Sequence, residues 1–174
     1  MCKGISVLKA RLNRQLLEEY ALAERLRTRQ PGAMQTELFD DAPPSIEAST
    51  AEEIHFMYTD KLPQLPVIHD GQLIIYEWGN RGNKESRLYR TGWCQEESLK
   101  AGKWRWLHPE KVIIPANFGL EKGVWFHIEQ GIEGVVVRDE QERPHVYMLT
   151  RQASHYYQTM TKHDRAPVLV EQEI

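Results

Sequence analysis

Apolar residues recur at four-residue intervals near the start of the chain, at Leu8, Leu12, Leu16 and Tyr20, with Leu22 and Leu26 beyond. That spacing stacks them on one face of a helix. It predicts an amphipathic helix over Ser6–Arg29, with Ser6 as its N-cap and Pro31-Gly32 as its stop. The polar, proline-bearing stretch from Asp40 to Ala51 reads as a loop. From Ile54 onward the signals are mostly those of strands. Runs rich in branched and aromatic residues mark Ile54–Tyr58, Leu65–His69 and Gln72–Trp78, the last two joined by an Asp70-Gly71 hairpin turn. Further strands are expected at Lys111–Ala116, Val124–Glu129, Ile132–Val137 and His145–Leu149, then a short helix at Ala153–Thr161 and a final strand at Pro167–Glu171. There is no internal repeat. The pattern sums to one α+β domain over residues 1–174, a curved, barrel-like antiparallel sheet with helices at its margin.

Composition agrees with a single folded unit. The 174 residues are 41% hydrophobic before the 11 glycines are counted, which is within the range of globular domains. No apolar run approaches the roughly 18 residues that span a bilayer, and the first residues lack a signal-peptide core, so a cytosolic monomer with no membrane partner is expected. A net charge of −3 and a pI near 6.2 argue against coating nucleic acid by bulk charge, yet leave room for a local basic groove. Cations cluster at Lys9–Arg14, Arg25–Arg29, Lys100–Arg105 and Lys162–Arg165, each of which also reads simply as a solvated face.

The two cysteines, Cys2 and Cys94, lie far apart, and no CxxC, HxxxH or HxH spacing suggests a metal. Each is either an inert small hydrophobe or a reactive thiol. Cys2 is the more informative. Methionine before a small residue is normally trimmed, which would leave cysteine as the first residue. Its α-amine, with a pKa of about 7.7–8.0, and its thiol, near 8.5, then sit on adjacent carbons. Such an aminothiol condenses with an aldehyde to an imine and closes to a thiazolidine. An internal cysteine cannot, because its nitrogen is an amide.

The C-terminal stretch Thr161-Lys162-His163-Asp164-Arg165-Ala166-Pro167-Val168 resembles the His-Asp-Arg-Met-Pro-Val hallmark of the SOS-response-associated peptidase family, with Ala166 in place of Met. Val112 to Glu121 resembles the family segment in which an apolar-Pro-Ala sequence leads, five residues on, to a catalytic glutamate. Pro66-Val67-Ile68, Gly71 and Tyr76-Glu77-Trp78-Gly79 resemble its strand, hairpin and Trp-Gly, and Leu149-Thr150 with Ala153 fits the order. The resemblance implies capture of abasic sites in single-stranded DNA without metal or organic cofactor. Cys2 would be the nucleophile, Glu121 a proton-transfer group beside it, His163 a proton donor or acceptor, and Arg165 a phosphate contact. Arg165 alternatively pairs with Asp164.

The chain departs from the family in three places. Lys3-Gly4 follows the cysteine where the family has Gly-Arg, so the cation is moved by one residue. The family's Asn-x-Arg element falls on Thr91-Gly92-Trp93, where Thr91 still offers a hydrogen bond but Trp93 offers no guanidinium. Lys122 stands where an aromatic usually follows the glutamate. Lys3, Trp93, Asn80 and Arg81 complete the candidate DNA contacts; the last two belong to a turn, Trp78 to Lys84, that reads either as a phosphate cradle or as a plain loop. The segment from Lys100 to Trp106 interleaves cations and aromatics as single-strand binders do, and equally suits a strand with tryptophans on its core side. Two other functions stay open, a cysteine (auto)peptidase and a non-catalytic single-stranded DNA binder.

Overall fold

The chain opens with a strand rather than a helix. In the computed structural model, which describes residues 1–28 and 52–172, β1 (Gly4–Leu8) leads through a 3-10 turn to a six-residue helix, α1 (Arg14–Glu19). A second 3-10 turn follows, then β2 (Leu26–Thr28). The expected long helix from Ser6 is therefore overturned. Asn13, not Ser6, is the N-cap of α1, its side-chain oxygen accepting from Leu16 N at 2.9 Å. The reason is tertiary: the branched Ile5 and Val7 alternate with Gly4 and Ser6, and β1 is paired along both edges, which outweighs the leucine spacing. Leu12, Leu16 and Leu22 still reach the core. The features expected at Arg29, at Pro31-Gly32 and over residues 40–51 lie outside the described residues.

The other elements are β3 (Glu52–Met57), β4 (Gln64–His69), β5 (Gln72–Trp78), β6 (Trp93–Gln95), α2 (Glu96–Lys100), β7 (Glu110–Ile114), β8 (Phe118–Glu121), β9 (Val124–His127), β10 (Ile132–Arg138), β11 (Pro144–Gln152), α3 (His155–Thr161) and β12 (Arg165–Pro167). Most fall close to expectation, while β6, α2 and β8 were not expected from the sequence. Asp70 and Gly71 take φ of 49° and 75°, the pair of left-handed residues a two-residue hairpin turn demands. The Lys100–Trp106 segment is not a strand; it is the end of α2, a turn and a 3-10 helix at Arg105–Leu107. The final strand is earlier and shorter than expected, with one isolated bridge, Ile132 to Leu169, beyond it.

Among the described residues the strands form two sheets. One has the order β2-β3-β1-β8-β9 and is antiparallel throughout. In the other, β10-β7-β4-β5-β11 closes on itself because β11 also pairs with β10, and β6 and β12 attach to β11. The domain is thus α+β with a closed five-stranded barrel. The barrel is not wholly antiparallel, as the sequence suggested: β11 runs parallel to β5 and to β6. These neighbours are joined by long connections rather than tight turns, which frees their relative direction.

One apolar core draws on both sheets, with Ile5, Val7, Ile54, Phe56 and Phe126 from the first and Val67, Trp78, Ile114, Val136 and Met148 from the second. The alternation along β10 and β11 sends Val135, Val137, Tyr147 and Leu149 the other way, into a second cluster with Cys94, Trp104 and Leu107.

Gly79, just after β5, takes φ +61°, and a Cβ there would run into the Thr91 carbonyl and Gly92. Trp78 Nε1 donates to Gly92 O at 2.9 Å and Asn80 N to Thr91 O at 3.0 Å, so this contact returns the loop to the barrel. Gly79→Ala is expected to destabilise the fold by about 3 kcal/mol or more, lowering Tm by roughly 6–12 °C in thermal denaturation. Gly82→Ala, where a Cβ meets nothing, should leave Tm within about 2 °C of wild type.

Candidate active site

Antiparallel pairing places the start of the chain against the end of β8. Gly4 lies opposite Leu120, and Lys3 N donates to Leu120 O at 3.0 Å. The next residue, Glu121, closes β8 before a turn in which Lys122 and Gly123 take φ of 47° and 81°. Glu121 is only 1% exposed. From the other end of the chain, α3 packs Tyr157 inward, and its hydroxyl donates to Glu121 Oε2 at 3.2 Å. Helix α3 stops at Lys162, whose left-handed φ of 56° turns the backbone so that His163 follows into the same place.

The three groups meet at the terminal amine. The Met1 nitrogen lies 3.1 Å from Glu121 Oε2 and 2.9 Å from His163 Nδ1, while His163 Nε2 is 3.3 Å from Glu121 Oε1. The imidazole therefore has one nitrogen toward the amine and the other toward the carboxylate. Burial lowers the His163 pKa; Glu121 acts in the opposite sense, the terminal amine and Lys122 lower it further, and Asp164 raises it. Tyr157 is pushed well above its ordinary range, first by burial and then by Cys2 and Glu121, and so remains a hydroxyl donor.

Cys2 is fully buried beside this cluster. Its thiol donates to Gly4 O at 3.1 Å, and burial pushes the thiol pKa up to about 12, against the lowering effect of that hydrogen bond. Trp93 Nε1 donates to Cys2 O at 3.1 Å. The indole is itself held in an aromatic group, 4.6 Å from the Tyr58 ring and 5.8 Å from Trp78. Backbone, thiol and flanking side chains thus fix the first residues without any charge on sulfur.

Cys2, Glu121 and His163, far apart in the sequence, fall in one region: Met1 contacts both Glu121 and His163, and Cys2 follows it within electrostatic reach of Glu121. Thr91 accepts from Trp93 N at 3.3 Å and lines a groove that starts at Met1. Lys3 is exposed next to Cys2. The other expected DNA contacts are differently employed. Arg165 is not paired with Asp164 in the structure; it is bidentate on Glu97, at 3.0 and 2.8 Å, and donates to Thr150 O at 2.6 Å, so it is no free phosphate contact. Its hydrogen bonds hold the Glu97 carboxyl down at about 2. Asn80 is buried and knits its own loop, donating to Asn83 O and Leu88 O and accepting from the amides of Gly82 and Asn83. Arg81 caps the carbonyls of Tyr58 and Asp60 at 2.9 and 2.6 Å. The loop that read as a phosphate cradle directs these groups to the protein itself. Cys94 is packed in the second cluster.

Sequence reasoning missed Tyr157, Lys122 and the terminal amine as a bound group. A signal for the first exists: Ala153, Tyr157 and Thr161, four apart and all buried, form the inner stripe of the expected helix. Lys122 Nζ donates to Lys162 O at 3.3 Å, joining the β8–β9 turn to the end of α3. Ligand-type side chains also gather at the barrel rim, where His69, Asp70 and Glu110 place donor atoms within 4.8 Å of one another. His69 is already bonded there, to Glu110 at 2.9 Å and Tyr76 at 3.0 Å, which accounts for the group as a brace between β4 and β7. Among the described residues no helix is long and apolar enough to cross a membrane.

No family model, no curated protein and no solved structure matches this chain.

The lowered pKa of His163 has a checkable sign. The folded state binds fewer protons there than the unfolded one, so this contribution to stability is full above about pH 6.5 and is lost as pH falls through that value toward the lowered native pKa. In an NMR titration the His163 midpoint should lie below about 6.5. Glu121→Gln removes the carboxylate that raises it and should move the midpoint lower still.

Proposed function

We propose that this protein, once Met1 is removed, captures the aldehyde of an abasic site in single-stranded DNA as a thiazolidine on Cys2. One observation carries the proposal: the amine of Met1, the residue directly ahead of Cys2, lies 3.1 Å from a buried carboxylate and 2.9 Å from an imidazole. Few functions need a terminal amine flanked by a proton acceptor and a neutral imidazole. Aldehyde condensation does. The resemblance to the SOS-response-associated peptidases points the same way, since it selects Cys2, Glu121 and His163 from the sequence.

Removal of Met1 leaves the Cys2 nitrogen as the new amine, one residue from the place the Met1 amine holds. Glu121 takes the ammonium proton, and the free amine adds to C1′ of the ring-opened sugar to give a carbinolamine. His163, neutral because burial disfavours its charge, relays a proton to the departing hydroxyl, and loss of water leaves the imine. The Cys2 S–H then adds across the C=N bond, sulfur to carbon and the proton to nitrogen. The sum is aldehyde plus amine plus thiol giving thiazolidine plus one water. A thiol held near 12 makes the amine the first nucleophile and ring closure the second step. Positioning supplies most of the acceleration, because both nucleophiles belong to one residue.

A thiol peptidase would instead need a thiolate paired with the imidazole. Here the sulfur donates to Gly4 O and its pKa is raised, so the alternative has no observation in its favour.

Mass spectrometry of the trimmed protein with an abasic-site oligonucleotide is expected to give a heat-stable adduct with loss of one water. Cys2→Ser and Cys2→Ala keep the amine and lose the thiol, so only a borohydride-trappable imine should remain. Glu121→Gln should slow adduct formation about 100-fold, the usual scale for one proton-transfer group. A chain with residues retained ahead of Cys2 should form none; wild-type yield from such a blocked chain would refute the mechanism.

A further inference from the structure

The interleaved segment from Lys100 to Trp106 contributes Lys103 and Trp104 to a groove that reaches Met1. The groove, of about 280 Å³, is lined by Tyr89, Trp93, Gln95, Lys103 and Thr150 among others. Its size falls just under the roughly 300 Å³ at which pockets for drug-sized molecules begin, so it suits one small planar group rather than a stack. Tyr89 is 38% exposed, yet it is held firmly. Its ring lies 4.6 Å from buried Trp104 and 6.2 Å from exposed Trp106, and its hydroxyl donates to Lys103 O at 3.1 Å. Trp104 is braced in turn by Tyr147 at 4.9 Å, and Tyr147 donates its hydroxyl to Tyr89 O at 2.8 Å. The result is an aromatic platform fixed by the second core cluster and open on one side. Gln95 brings an amide to the rim, and Lys103 an exposed cation.

We propose that this groove seats the nucleobase of the nucleotide adjoining the abasic sugar, stacked against Tyr89, with Lys103 at the phosphate between them. The inference rests on the function proposed above and names what that site recognises besides the aldehyde. Stacking suits any base, because every base has a π-face, while the lysine meets a charge every nucleotide carries. Such a subsite would require at least one intact base beside the lesion. It would also supply the cation that Arg165, engaged with Glu97, does not.

The test uses single-stranded oligonucleotides carrying the stable tetrahydrofuran abasic analogue, which has no aldehyde and cannot crosslink. Affinity for trimmed full-length protein is compared by fluorescence anisotropy with both neighbouring bases present, and with the 5′ or the 3′ neighbour replaced by a second abasic spacer. Loss of one particular neighbour should weaken binding roughly 5- to 150-fold, the range of base–aromatic stacking. Tyr89→Ala should erase that difference and Tyr89→Phe should keep it. Lys103→Ala should reduce the slope of log affinity against log salt by about 0.7, one single-strand phosphate. Equal affinity for all three oligonucleotides overturns the groove. A parallel reaction with a true abasic site separates the two proposals. Adduct without neighbour discrimination sinks the groove alone, and discrimination without adduct sinks the crosslinking chemistry alone.

Discussion

A carboxylate withdrawn from water is the constraint around which this end of the molecule is arranged. Glu121 is 1% exposed, and an ionised carboxylate so placed is several kcal/mol unfavourable unless other groups compensate it. Compensation comes from three remote parts of the chain: the terminal amine, the Tyr157 hydroxyl and the His163 ring. The amine and the hydroxyl both meet Oε2, while Oε1 makes no hydrogen bond and has the His163 Nε2 3.3 Å away. The demand for partners at one buried position therefore assembles an amine, a hydroxyl and an imidazole in a space of a few ångströms. The β1–β8 ladder sets the amine's approach, and the left-handed Lys162 sets that of the ring.

Much of the barrel was legible because its signals are local. Gln72–Trp78 forms a strand over the expected residues, and Asp70-Gly71 turns as that dipeptide should. What escaped depends on partners distant in sequence. β1 is a strand because β3 and β8 flank it, and nothing within residues 4–8 announces those neighbours against a regular leucine spacing. The parallel pairing of β11 with β5 and β6 is likewise invisible locally, since no tight turn encodes it. At the site, the sequence singled out Cys2, Glu121 and His163 by motif order. The partner of Arg165 was not, because Glu97 lies 68 positions away on α2.

Two positions at which the sequence departs from the pattern it resembles have structural roles of their own. Where an arginine was expected, Trp93 donates its indole N–H to the Cys2 carbonyl and packs against Tyr58 and Trp78. The half-buried indole thus orients the first residues of the chain. Lys122, in place of an aromatic, joins the β8–β9 turn to the end of α3 through the Lys162 carbonyl. Neither side chain adds a cation to the Thr91–Thr150 wall of the groove.

The contact between the Met1 amine and His163 spans 162 positions of sequence. During synthesis, at about 5–20 residues per second, the first residue waits on the order of ten to thirty seconds before its imidazole partner exists. Until then the amine lacks its imidazole partner, and its contact with Glu121, a residue made earlier, waits on the pairing of β1 with β8. The cluster around the terminal amine is thus among the last features of the molecule to be completed, and a chain ending before His163 would leave the buried Glu121 without its imidazole neighbour.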